Sequence, residues 1–375
     1  KRNTRMKNRL LQNLKTRRHK IQRRLVNQGA DAMLVMDPIN VTYLTGFTGD
    51  SSFLLLTRKN EIIISDTRYT TQIEEECGTI DKEIRTSKTT TIKLLCETIS
   101  KLGISSLGIE AQQISKSTFD QLDKELVGVE LISTSGIVEK FRAVKDSFEL
   151  EEIRKSIDLA ERSFRVIRES LRGEQTEAEI AHNLEHQIRL FGGDKCAFEP
   201  IVGVGSRSAL PHAVKTSKKI EESPFVLIDW GAKAGLYMSD LTRVLITGKA
   251  PAKYEKIFNI VLEAQMRAIE RIKPGVTAKE VDHAARGFIE KSGYGKKFGH
   301  GLGHGFGLQI HETPFMSSIS EAILKPGMVL TVEPGIYLPN WGGVRIEDDI
   351  LVTKDGHEVL TSVPKTFEES RVTLA

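Results

Sequence analysis

The sequence predicts an α/β (α+β) protein of two domains, a smaller amino-terminal α/β domain at 1–140 and a larger carboxy-terminal domain at 141–375 made of two related α/β halves. Three observations predict it. Short β-like runs alternate with amphipathic stretches up to Val138, a long helical pattern opens near Phe148, and beyond it the chain repeats itself at an offset of 101 residues. Alternating strand and helix signals are the mark of α/β packing. With 375 residues, 39% of them apolar and 28% charged, each domain can bury its own core. No apolar run approaches the ~20 residues needed to cross a bilayer, so no membrane partner is expected.

The chain opens with Lys1, Arg2, Arg5, Lys7, Arg9, Lys15, Arg17, Arg18, Lys20, Arg23 and Arg24, and meets no acid before Asp31. Organelle-targeting segments are basic too but rich in serine, and the first serine here is Ser51. The helical spacing of Leu10, Leu11, Leu14, Ile21 and Leu25 predicts instead a surface helix with a solvated basic face. Without interleaved aromatics or a nucleic-acid module, no nucleic-acid partner is expected. Met6 could serve as initiator, which would leave residues 1–5 outside the natural start.

Strand-like runs follow at 32–36, 52–57, 61–65 and 106–110, with helix-like stretches at 89–101 and 118–126. From Phe148 onward Ile153, Ile157, Ala160, Phe164 and Ile167 share one helix face, so a boundary falls at about 140–147. That helix ends near Gly173, and Thr176-Glu177-Ala178-Glu179 opens a second as a capping box. A helix at 252–272 ends before Pro274-Gly275, and Thr277-Ala278-Lys279-Glu280 opens its successor in the same way. Thr176 and Thr277, Glu179 and Glu280, and His182 and His283 all stand 101 residues apart, and Gly192 and Gly193 are answered by Gly293. Each helix pair leads into strands and then a hairpin bearing two acids, which is why the match is read as an internal repeat.

In the first hairpin, a turn centred between Ala234 and Gly235 would place Asp229 and Asp240 opposite each other. In the second, a turn over Leu338-Pro339-Asn340-Trp341-Gly342 would oppose Glu333 and Glu347. Like charges facing across strands, with Cβ atoms ~5 Å apart, are destabilising unless compensated. Arg243 and Arg345 are near but offset only part of four acids, and shared protons serve a dyad better than a quartet. Divalent ions satisfy all four, and the histidine-rich run His300-Gly301-Leu302-Gly303-His304-Gly305-Phe306-Gly307-Leu308-Gln309-Ile310-His311-Glu312 supplies a nitrogen ligand. Mostly oxygen donors with one imidazole suit manganese first, then cobalt, zinc or iron. Two such ions ~3.5–4 Å apart turn water into a nucleophile near neutral pH. Asp348 should point to the opposite strand face and Asp349 lie beyond the paired acids, so both are expected to be supporting or solvated.

At these residues the chain resembles the creatinase/aminopeptidase P/prolidase family of metallopeptidases. The likeness runs over 139–364, and residues 6–138, including Asn40-Val41-Thr42-Tyr43-Leu44-Thr45-Gly46-Phe47, resemble the family's amino-terminal domain. It rests on Ile-Asp-Trp-Gly, Ser-Asp-Leu-Thr-Arg, Gly-His-Gly-Phe-Gly, Val-Glu-Pro-Gly-Ile-Tyr and Arg-Ile-Glu-Asp. The resemblance implies the pita-bread fold for the second domain, and two metal ions held by Asp229, Asp240, His304, Glu333 and Glu347. It implies that His212 shuttles protons, that His300 and His311 hold substrate and stabilise the oxyanion, that Glu333 relays a proton, and that Arg345 orients the acidic ligands. The implied activity is hydrolysis of the amide bond before proline in dipeptides or longer peptides, by a homodimer whose amino-terminal domains help to close the partner's cleft. One departure is Phe306, where the family usually has a small aliphatic residue, and a larger ring is expected to reshape the pocket.

Alternatives remain at this stage. A methionine aminopeptidase uses the same five ligands but typically lacks an extra domain like 6–138. Creatinase-like chemistry needs no metal cluster, and peptide- or histone-binding relatives have lost ligands that this chain retains. Cys77, Cys96 and Cys196, an odd number at wide spacing, fit a reducing, cytoplasmic compartment.

Overall fold

The computed structural model describes residues 2–27 and 29–375, with the side chains of residues 2–8, 26 and 27 outside the described set. The chain packs as two compact units, 1–142 and 143–375. Among the described residues no helix is long and apolar enough to cross a membrane.

The first unit begins with helix α1 (Arg2–Asn27), whose apolar stripe buries Leu14, Ile21 and Leu25 as its spacing predicts. Its basic face is less solvated than expected. Lys15, Lys20, Arg23 and Arg24 are exposed, but Arg17 and Arg18 are buried and donate to the carbonyls of Tyr43 and Leu44. These carbonyls end helix α2 (Pro38–Thr45), where cations complement the helix dipole. The side chains of Lys1, Arg2, Arg5 and Lys7 lie outside the described residues.

Strands β1 (Ala32–Val35), β2 (Phe53–Thr57), β3 (Glu61–Asp66), β4 (Asp81–Arg85), β5 (Ser106–Glu110) and β6 (Glu130–Thr134) form one mixed sheet in the order β4-β3-β2-β1-β5-β6. Helices α3 (Thr70–Cys77), α4 (Thr91–Lys101), α5 (Lys116–Glu125) and α6 (Ile137–Arg142) complete the unit. Leu34, Leu55, Ile64, Leu95, Ile99, Leu107 and Leu122 form part of the core shared by the sheet, α4 and α5.

The second unit carries the repeat. Helix α7 (Ser147–Glu169) precedes α8 (Glu177–Leu190), and strands β7 (Lys195–Cys196), β8 (Ile201–Val204), β9 (Phe225–Trp230), β10 (Ala232–Ala234), β11 (Tyr237–Met238) and β12 (Leu241–Ile246) follow. In the other half, helices α9 (Ala252–Arg271) and α10 (Ala278–Lys291) precede β13 (Gly303–Gly305), β14 (Glu312–Met316), β15 (Val329–Val332), β16 (Gly335–Leu338), β17 (Gly342–Arg345), β18 (Asp348–Val352) and β19 (His357–Val359). Both capping boxes close as read, Thr176 with Glu179 and Thr277 with Glu280. Each cap threonine also forms an isolated β-bridge, Thr176 to Lys219 and Thr277 to Ile323.

Each helix pair packs on strands, and the core of the second pair also takes in Phe225, Leu227, Val244 and Ile246 of β9 and β12. Phe164, Ile180, Leu184, Val202, Val226, Ile228 and Trp230 lie in one core, and Ile257, Phe258, Val281, Ile289, Leu330, Val344 and Ile350 in the other. The sheets β12-β9-β8 and β14-β13-β15-β18-β19 meet where Thr242 of β12 bridges Glu347, so the ends of both hairpins come to one place.

Candidate metal centre

The first hairpin differs in register from the expectation. Asp229 stands opposite Thr242, and Lys233 and Ala234 face Met238 and Tyr237. The turn therefore centres between Gly235 and Leu236, one residue later than expected, with Gly235 at a φ of 59° that a side chain would resist. Asp240 thus lies diagonal to Asp229 on the same strand face instead of directly opposite. Diagonal neighbours stay within reach of one another while avoiding the closest like-charge approach.

The second hairpin keeps the predicted register. Val332 faces Asp348 on one side of the interruption and Gly335 faces Arg345 on the other, which sets Glu333 level with Glu347 between the two ladders. Asn340 turns the chain at a φ of 62°, a conformation asparagine tolerates.

The acids converge. Carboxylate oxygens of Asp229, Asp240 and Glu347, all three buried, lie within 4.8 Å of one another. His304 reaches the cluster from β13, its Nε2 3.4 Å from Glu333 Oε1 and 3.6 Å from Asp240 Oδ2. Its Nδ1 is 3.1 Å from the Gly305 carbonyl, an acceptor, so that nitrogen carries the proton and Nε2 offers a lone pair. Burial, then the charge of His311, hold His304 down to about 4, and the ring is neutral at pH 7.

The electrostatics of these residues fit a bound dication. Burial, then the charges of Glu347, Asp229 and Glu333, push Asp240 well above the carboxylate range. Burial and the charge of Glu333 do the same to Glu347, and burial pushes Glu333 up to about 8. Asp229 Oδ1 is buried with no hydrogen-bond partner, although its Oδ2 is held by Arg345. Four carboxylates and an imidazole lone pair aimed at one another, with a carboxylate oxygen left unpaired, are what a divalent cation satisfies and what protein donors here do not.

Around the acids the surrounding groups are ordered. Arg345, buried, donates from Nη2 to Asp229 Oδ2 at 2.5 Å, from Nε to Thr242 Oγ1 at 3.1 Å and from Nη1 to Tyr337 OH at 2.9 Å. Thr242 in turn donates a hydrogen bond to Glu347 Oε2 at 2.5 Å, and Thr331 donates to Glu333 Oε1 at 3.3 Å while accepting from His304 N at 3.0 Å. Thr242, Thr331 and Tyr337 were not singled out from the sequence. The signal was there for the threonines: each stands two residues from one of the clustered acids in extended chain, hence on the same face.

The cluster floors a cleft of about 850 Å³ whose wall includes His212, His300 and His311 as well as Phe198, Ile201, Ile310 and Phe315. His311 packs edge-on against His304 with ring centroids 4.5 Å apart. His300 is differently placed than a free donor: Nδ1 sits 2.7 Å from the Gly301 carbonyl and Nε2 2.9 Å from Tyr337 OH, so both nitrogens are engaged inside the protein.

Two further expectations change and a third is narrowed. Phe306 is fully buried and is not on the cleft wall; the strand pairing shifts register between His304 and Gly305, so the alternation that would bring Phe306 to the side of His304 is broken there. Arg243 turns its side chain away from the clustered carboxylates, pairing with Asp348 at 2.7 Å and donating to the Val363 carbonyl. Of the two roles expected for Asp348 and Asp349, the supporting one holds and both are buried: Asp348 also accepts from Lys365, Gln265 and Thr361, and Asp349 accepts from Asp240 N at 3.2 Å.

Comparison with known proteins adds a second line of support. The profile of metallopeptidase family M24 matches residues 151–354, and that of the creatinase/prolidase N-terminal domain matches 17–144. A Xaa-Pro dipeptidase of Pyrococcus horikoshii is 38% identical over 337 residues, 89% of this chain and 93% of that one. The solved structure of a Xaa-Pro dipeptidase from Bacillus anthracis superposes with a TM-score of 0.90 at 38% identity, covering 94% of this chain and 99% of the other. That of an X-Pro aminopeptidase from Thermotoga maritima gives 0.84 at 37% identity, over 92% and 98%.

Proposed function

The chain belongs to metallopeptidase family M24, and from that premise we propose that it hydrolyses the amide bond before proline, releasing the amino-terminal residue of Xaa-Pro dipeptides or longer Xaa-Pro peptides. The observation that carries this is the convergence of Asp229, Asp240, His304, Glu333 and Glu347 at the base of an apolar-walled cleft. As a member of that family it is a metallopeptidase that works with divalent ions. We assign two ions per subunit to these five side chains, with manganese the first candidate for the donor set. When bound, they supply Lewis acidity toward the scissile carbonyl and lower the pKa of the attacking water.

The chain's own groups handle protons and position. Glu333, steadied by Thr331, takes a proton from the attacking water and returns it toward the leaving nitrogen. His311, facing the cleft, donates to the carbonyl oxygen as negative charge grows there. His212, on the same wall, moves a proton at the leaving nitrogen, which for proline is tertiary and a poor leaving group until protonated. Arg345 fixes Asp229 and Tyr337, and Tyr337 fixes His300, which therefore shapes the substrate site as a held ring.

Apolar side chains such as Phe198, Ile201 and Phe315 give a proline ring a wall to rest on. A homodimer in a reducing compartment belongs to the same reading, and light scattering of the purified protein tests the first part. The activity is tested with Ala-Pro, Ala-Pro-Ala and Met-Ala before and after chelation, with add-back of manganese, cobalt, zinc and iron. Hydrolysis of the proline peptides that disappears with the metal and returns with it is expected. Cleavage of Met-Ala alone, or full activity in a verified metal-free sample, would overturn the proposal.

A further inference from the structure

Glu177 drew notice in the sequence only as part of a helix-capping box, yet the box does not use its side chain: the cap is made by Thr176 and Glu179. Glu177 is fully buried, and its carboxylate points away from the helix into the segment 204–216, which carries His212. Oε1 accepts from Val204 N at 2.9 Å, at the segment's start. Oε2 accepts from Thr216 N at 2.9 Å and Thr216 Oγ1 at 2.6 Å, at its end. Arg207 Nε lies 2.9 Å from both oxygens, and its Nη2 donates to the Val214 carbonyl.

One buried carboxylate thus ties together both feet of the loop and, through Arg207, the Val214 carbonyl two residues beyond His212. Its charge is met by Arg207, and the bonds it accepts are of the strong, charge-assisted kind. The far side of the loop is tied to the metal centre, with the Pro211 carbonyl 3.4 Å from Arg345 Nη2 and Gly343 N donating to Ser208 Oγ at 2.7 Å. His212 follows Pro211 directly and stands exposed on the cleft wall.

The internal repeat supplies a control. The residue equivalent to Glu177, 101 positions on, is Ala278, also fully buried and also just inside a closed capping box. Its backbone makes the matching bond, Ala278 N to the Ala322 carbonyl at 2.8 Å, where Glu177 N meets the Lys218 carbonyl at 3.0 Å. The helix start is therefore built equally well with a methyl group, so the carboxylate of Glu177 is not needed to form the cap and is free to serve the loop.

We infer that Glu177 is a positioning residue for the reaction, setting through Val204, Arg207 and Thr216 where His212 stands in the cleft. This rests on the role given to His212 above. The test is a double-mutant cycle on the full, metal-loaded chain with a proline dipeptide, measuring kcat, KM, pH profile and metal content for Glu177→Ala, His212→Asn and the pair. Glu177→Ala is expected to lower kcat by about 10–100-fold, the range typical of supporting-group changes, with metal content unchanged.

In the His212→Asn background the same change should cost less than about twofold, because the group it positions is already gone. Glu177→Gln, which keeps shape and an acceptor oxygen, should recover part of the loss, and the cycle run with it decides the matter should the alanine variant not fold. Equal losses in both backgrounds, or no loss in either, would overturn the inference while leaving the role of His212 intact. If His212→Asn alone leaves kcat unchanged, the role of His212 falls and this inference falls with it.

Discussion

Replacing Arg345 by methionine would leave Asp229 Oδ2 without its guanidinium partner and Tyr337 OH without its donor, deep in a buried site. Metal affinity should drop by about 10–100-fold, read by titration with the ion alone. Glu347→Gln, which removes a charge from the cluster itself, should lose the metal more completely and activity with it; an active, metal-replete Glu347→Gln protein would remove Glu347 from the ligand set. His300 makes a different prediction. Burial, then the nearby Arg345, lower it from 6.5 to about 4, so between those values the unfolded chain binds a proton that the folded one refuses. The contribution is present in full above pH 6.5 and lost as pH falls toward 4, at most about 3 kcal/mol. The urea midpoint of the metal-free protein should therefore fall less steeply over that range in His300→Asn than in the parent. At this scale the four clustered acids were legible as residue types on two hairpins, because acids brought together demand a counter-charge, and His304 stood out in the histidine-rich run. The engagement of both His300 nitrogens was not, because Tyr337 meets it only across a fold that one-dimensional spacing does not encode.

Elements were legible where a face is buried. β1, β2, β3 and β5 sit inside the sheet or toward its centre and read as apolar runs, whereas β4 and β6 form its edges, carry charged and half-exposed residues, and left no such run to find. The first hairpin was misread by one residue because either side of Gly235 can hold the turn, and strand alternation alone does not choose between them. Both capping boxes could be read directly, since cap and return partner lie three residues apart. Thr176→Ala and Thr277→Ala should each lower stability by about 1 kcal/mol in urea unfolding without altering metal content. The buried Arg243 and Asp348 pair is a harsher case: Arg243→Met strands an acid that already sits beside Lys365 and Gln265, and a loss of about 3–5 kcal/mol is expected. A change below 1 kcal/mol would show that Lys365 alone suffices.

For the molecule as a whole, the family assignment and the two-part organisation were within reach of the sequence because the repeat and the ligand order are both one-dimensional facts. Binding of ions to the second unit should raise its unfolding transition by mass action, by about 2.7 kcal/mol at a hundredfold excess over Kd. Calorimetry with and without chelator should show the transition of residues 143–375 moving while that of 1–142 stays; equal movement of both would argue against a site confined to the second unit. The proposed ligands are shared between the repeats, with Asp229 and Asp240 from the first and His304, Glu333 and Glu347 from the second. A nick in the connection 247–251 would give two fragments, neither owning the full donor set, so that the ion becomes the clasp between them and peptide cleavage becomes a reporter of their reunion.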